Sequence, residues 1–195
     1  MLVTNNLVKD NLNEYKNKNT KLSRNVKTGK LIKLKNGLYE TDKNVSGHLL
    51  ASAIYNPSYL SFEYALSYYG LIPEKVVTFT NATCGKKKKK TYTNYFGTYT
   101  YRDVPNNVFA YGVKIINENE YSFQIATPEK ALCDKLYTLS TLKNLEELKV
   151  VLFKDLRIDE QEFSKLNIND VKFLSENYHS KNVCLLYSLM RRENE

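Results

Sequence analysis

Ser58-Tyr59-Leu60-Ser61-Phe62-Glu63-Tyr64-Ala65-Leu66-Ser67-Tyr68-Tyr69-Gly70-Leu71-Ile72-Pro73 is the stretch from which the rest of the chain is read. Ser61 is placed to cap a first helical turn and Glu63 lies near the positive end of the helix dipole. Gly70 followed by Pro73 is a stop signal. Helical spacing gathers Phe62, Ala65, Leu66 and Tyr69 on one face, as core, and Tyr64 with Tyr68 on another, as a half-exposed pair.

Downstream, segments 76–80, 91–96, 98–102, 111–116 and 121–126 are rich in Val, Ile, Thr and aromatic residues and predict strands. Gly97 and residues 117–120 supply hairpin turns, so the sheet is expected to be mainly antiparallel. From Thr127, a cap, and Pro128, at a first helical position, the remainder reads as helices near 128–139, 144–154, 159–166, 169–178 and 181–192. Upstream, residues 48–55 predict a helix ending at Asn56-Pro57. Strands followed by helices give an α+β fold class.

Before residue 47 the pattern changes. Residues 5–18 predict a weak helix. Asn19 is placed to cap a second short one over 20–28, with Leu22 and Val26 inward and Thr20, Lys21, Arg24 and Lys27 on the other face. Ile32 and Leu34 then alternate with Lys33 and Lys35 before Asn36-Gly37, a strong hairpin signal. A helix with a basic outer face and a basic hairpin is the layout of a helix-turn-helix with a wing. The expected division is a winged-helix-like DNA-binding domain over 1–46 and a larger α+β domain over 47–195.

Charge supports that division. The 195 residues carry a net +8. Residues 1–46 hold ten basic and four acidic side chains, net +6, whereas residues 111–195 hold twelve and fourteen, net −2. A positive first part is an electrostatic footprint for a polyanion. No apolar run approaches a membrane span and no signal-peptide pattern opens the chain. Cys84, Cys133 and Cys184 are widely separated and fit neither a disulfide framework nor a zinc site, so a reducing cytoplasm is expected.

Three segments, in this order, resemble the AbiEi antitoxins, the antitoxin half of type IV toxin-antitoxin (abortive infection) systems. Gly29-Lys30-Leu31-Ile32-Lys33-Leu34-Lys35-Asn36-Gly37-Leu38-Tyr39 is similar to that family's G-x-L-x-x-L-x-x-G-x-Y wing. The 58–73 stretch is similar to its YISxxxALxxxGLIP segment. Ile125-Ala126-Thr127-Pro128-Glu129-Lys130-Ala131-Leu132-Cys133-Asp134 is similar to its A-[ST]-x-E-K-A-L-x-D helix start. The resemblance implies a phage-defence antitoxin that binds operator DNA, represses its own operon and antagonises an AbiEii-like nucleotidyltransferase toxin, directly or indirectly. Self-association on a two-fold operator would go with it.

Carried onto this chain, the resemblance implies that Thr20, Lys21, Arg24 and Lys27 approach the major groove while Lys33 and Lys35 meet phosphates. It also offers Tyr59, Tyr64, Tyr68, Glu129, Lys130 and Asp134 as candidates for an antitoxin surface. One departure is plain: a winged helix has three helices before its wing, and only about 28 residues precede this one, so the domain is minimal or lacks its first helix.

The run Lys86, Lys87, Lys88, Lys89 and Lys90, with Arg102 and interleaved tyrosines, is a possible second basic patch. Catalytic constellations are not evident. His48 and His179 lie in no motif, Gly85-Lys86 lacks the phosphate-loop pattern, and Cys133 beside Leu132 and Leu136 reads as core filler. Glu129 is explained by the helix dipole, Lys130 by an exposed position, and its pair with Asp134 by a weak surface contact. Asp155, Asp159, Glu160 and Glu162 read as a solvated helical face rather than metal ligands. The expectation is a binding protein without metal or cofactor, not an enzyme. The alternative is a protein-interaction module that does not bind DNA.

Overall fold

The structure, a computed structural model, describes residues 1–193. Its first unit is built from β1 (Leu2–Thr4), α1 (Asn5–Asp10), α2 (Lys18–Lys27), β2 (Ile32–Lys35) and β3 (Leu38–Glu40). The strands form an antiparallel sheet in the order β1-β3-β2. Val3, Val8, Leu12, Leu22, Leu31 and Tyr39 close a small core against it. The strand β1 is too short to show an alternation in sequence. α2 begins before the expected Asn19 cap, because the side chain of Asn17 accepts from the Thr20 amide at 3.1 Å. Gly37 turns the β2–β3 hairpin with φ +78°, a backbone region open to glycine at no steric cost.

The second unit opens with a short 3-10 turn, Gly47–Leu50, running into α3 (Ala51–Ile54), so the expected helix of residues 48–55 is there in broken form. A six-stranded sheet follows, from β4 (Ser58–Leu60), β5 (Phe79–Thr83), β6 (Lys90–Asn94), β7 (Gly97–Asp103), β8 (Val113–Glu118) and β9 (Tyr121–Ala126). Its order is β6-β7-β5-β4-β9-β8. β4-β5, β6-β7 and β8-β9 are antiparallel, but β4-β9 and β5-β7 are parallel. The sheet is therefore mixed. Ser58-Tyr59-Leu60, which reads in sequence as a lead into a helix, instead enters the centre of the sheet with all three residues buried and makes the parallel joint to β9.

From β4 the chain passes directly into α4 (Phe62–Tyr68). The helices α5 (Pro128–Tyr137), α6 (Leu145–Val150), α7 (Glu160–Ser164), α8 (Ile168–Asn177) and α9 (Lys181–Glu193) complete the fold. α4 packs on α5, α5 on α8 and α9, and α8 on α9. Phe62, Leu66, Tyr99, Tyr101, Ile125, Leu132, Leu136 and Leu174 belong to one continuous core beneath them. The molecule is thus a mixed α+β fold with two sheets.

The units meet along β2 and β6. Leu34 is buried in the larger core although it lies on the smaller sheet, and the Asn94 side chain donates to the Leu34 carbonyl at 3.3 Å. On the far side, the buried Glu40 carboxylate accepts from the hydroxyl of Tyr121 at 3.0 Å and from the backbone amides of Thr41 and Asp42. Burial alone raises the pKa of Glu40, but these bonds together with that from the Met1 ammonium outweigh it and hold the carboxyl below its ordinary range.

Candidate nucleic-acid interface

α2 presents Thr20, Ser23, Arg24 and Lys27 to solvent, while Leu22 packs inward. Their spacing of three and four residues puts them on one face of the helix. Lys21 lies at the border: it is half-buried, its amine 4.5 Å from the centre of the Tyr15 ring. Lys33 points out from β2. Lys35 does not join it, because its amine reaches into the larger unit and donates to the Ile54 carbonyl at 2.5 Å, and burial lowers its pKa. The expected phosphate contact from Lys35 is corrected to a brace between the two units.

The lysine run is exposed from Lys87 to Lys90, and Lys86 lays its amine 5.2 Å from the Tyr55 ring centre. Arg102 does not belong with them. Alternation on β7 turns it away from Tyr101, whose ring packs against Tyr55, and toward α4, where its guanidinium is 5.4 Å from the Phe62 ring and 3.8 Å from Glu63. Glu63 also accepts from Lys135; burial raises its pKa, but the Lys135 bond and the neighbouring cations pull it below the ordinary value.

The residues expected to form an antitoxin surface are split by the fold. Tyr68 is half exposed, and Tyr64 is partly buried, its hydroxyl pushed by burial up to about 12. Tyr59, Lys130 and Asp134 are buried at 1, 0 and 0 % exposure and form no surface at all. Asp134 receives hydrogen bonds from Lys130 at 2.8 Å, Ser61 at 2.6 Å, Tyr59 at 3.0 Å and Tyr178. Lys130 also donates to the Tyr178 hydroxyl. Ser61 occupies the cap position of α4, but its hydroxyl serves Asp134 and not the helix. Burial and the Asp134 charge raise the pKa values of Tyr59 and Tyr178 far above the ordinary phenol range, so both act as donors.

This arrangement reverses the sequence reading of Lys130 as exposed and of its ion pair as weak. Two of the motif segments, Tyr59/Ser61 and Lys130/Asp134, converge on one carboxylate, each of whose oxygens accepts two bonds. Tyr178 carries no local signal, and only packing of α8 on α5 brings it there. Glu129 is likewise buried and accepts from the Asn167 amide at 2.9 Å, tying α5 to the start of α8.

Other titratable groups have ordinary structural partners. His48 approaches Glu118 at 3.0 Å and meets the Phe123 ring edge-on, Cys133 is buried with its thiol pushed far up by burial, and Asp159 caps α7 by accepting from the Gln161 and Glu162 amides. Among the described residues no three His, Cys, Asp or Glu side chains gather as a metal ion requires, and no helix is long and apolar enough to cross a membrane. No protein-family model matches this chain, and no curated protein matches it.

Proposed function

We propose that the chain is a DNA-binding transcriptional autorepressor that serves as the antitoxin of a type IV toxin-antitoxin system, with the first unit as its DNA-reading part. The observation that carries the DNA half is the exposed row Thr20, Ser23, Arg24 and Lys27 on α2, continued by Lys33 on β2, with no carboxylate among them. The order strand, helix, helix, strand, strand, with the first strand paired to the last, supports reading this unit as a winged helix-turn-helix without its opening helix. α2 is then the recognition helix and β2–β3 the wing. The antitoxin half rests on the resemblance of the three sequence segments, and the toxin is a nucleotidyltransferase met by the second unit or countered without contact.

A salt titration on the DNA upstream of the gene tests the reading. The exposed cations of the row, Arg24, Lys27 and Lys33, neutralise about three phosphates and predict a slope of log K against log salt of about −2.7 per protomer, before any contribution from outside the row. Affinity for a random duplex at the same salt should be lower by a factor of about a thousand or more. Equal affinity for any duplex, or none, overturns the repressor and leaves a protein-interaction module. Co-expression with an AbiEii-like nucleotidyltransferase toxin, scored for growth and for co-purification, tests the antitoxin half and separates direct from indirect antagonism.

A further inference from the structure

A groove of about 280 Å³ runs between the end of α2, the start of β2 and the turn joining β6 to β7. Val26, Leu31 and Ile32 supply apolar walls, Gly29 leaves one side without a side chain, and Lys33 and Lys43 supply amines. Tyr95, from the larger unit, closes it. No acidic residue lines it.

Tyr95 is held at that place by its neighbours. Asn94 pairs with Gly97 across the hairpin, accepts from the Phe96 amide at 2.9 Å and anchors the turn to the Leu34 carbonyl of β2. Phe96 turns toward the protein, and the Tyr95 ring stands edge-on against it at 5.1 Å, 67 % exposed. An aromatic ring displayed to solvent on an anchored turn, beside two amines and an apolar wall, suits an occupant with a flat or apolar body and a negative backbone. The groove is continuous with the α2 and β2 face through Lys33.

We infer that this groove is a subsite of the DNA interface, in which Tyr95 packs on a deoxyribose or base of the strand leaving the wing while Lys33 and Lys43 hold its phosphates. The inference rests on the DNA reading above. It adds that the larger unit takes part in binding through the β6–β7 turn rather than through the lysine run of residues 86–90.

Fluorescence anisotropy with a labelled upstream duplex, using the full chain, tests it through Tyr95→Ala, Tyr95→Phe, Lys43→Ala and, as reference, Arg24→Ala. Tyr95→Ala should weaken binding by about fivefold to tenfold with the salt slope unchanged, and Tyr95→Phe should restore most of it. Lys43→Ala should lower the slope by about one. A duplex carrying 5-iododeoxyuridine should photocross-link to Tyr95. If Tyr95→Ala and Lys43→Ala bind like the parent chain while Arg24→Ala does not, the subsite is overturned and the DNA reading stands. If Arg24→Ala also binds like the parent, both fall. Loss of co-purification with the nucleotidyltransferase in Tyr95→Ala, with DNA binding intact, assigns the groove to protein and overturns the inference.

Discussion

Lys130 and Asp134 face each other across one turn of α5 at 2.8 Å, and neither side chain has any solvent exposure. Removing one partner strands a charge in the core, whereas replacing both by apolar groups of similar size removes the problem. Lys130→Met alone should cost about 3–5 kcal/mol in a urea titration. Lys130→Met combined with Asp134→Leu should recover part of that loss, limited by the hydroxyls of Tyr59, Ser61 and Tyr178 left without their acceptor. A double variant less stable than both single ones would contradict this account.

Glu63 gives the acid limb of stability a specific origin. Its pKa is lower in the folded chain than in the unfolded one, so its contribution is complete above the ordinary carboxyl range near 4.5 and is lost as pH falls through the folded value. Glu63→Gln should therefore flatten the dependence of Tm on pH below about 5 while lowering Tm at pH 7. An unchanged acid limb would count against it.

Lys35 and Lys33 are neighbours on one strand with opposite duties. Lys35→Ala should leave the salt slope of DNA binding where it is and lower stability by about 1 kcal/mol through loss of the bond to the Ile54 carbonyl. Lys33→Ala should reduce the slope by about one and leave stability within about 0.5 kcal/mol.

Gly47 has no room for a side chain. A Cβ there would lie 2.5 Å from the Phe79 ring and 2.8 Å from the Phe96 carbonyl oxygen. Gly47→Ala should cost about 1–3 kcal/mol by calorimetry, because the displaced atoms include backbone of the β6–β7 turn. It should also disturb the hydrogen bond that the Tyr99 hydroxyl donates to the Gly47 carbonyl.

Local signals made the α4 face, the start of α5 and the β6–β7 hairpin legible, because caps, turns and periodicity depend on residues within a few positions. Phe62, Ala65 and Leu66 are buried as their spacing predicts, and Thr127 caps α5 through the Lys130 amide. What stayed hidden was set by distant partners. Tyr59 and Ser61 find Asp134 more than 70 positions away, and Arg102 finds Glu63 across a helix-sheet contact. An inward lysine is legible only when its acceptor is known, and neither the Ile54 carbonyl for Lys35 nor the buried Asp134 site for Lys130 leaves a local signal. The parallel joint of β4 to β9 is concealed because β4 is only three residues long.

β2 is four residues long, and its register slips between Lys33 and Lys35, so Leu34 and Lys35 both turn to the larger unit while Lys33 faces water. Two consecutive residues thus fasten the ribbon where a regular pleat would offer only one, and a single ammonium group of the strand is left for display.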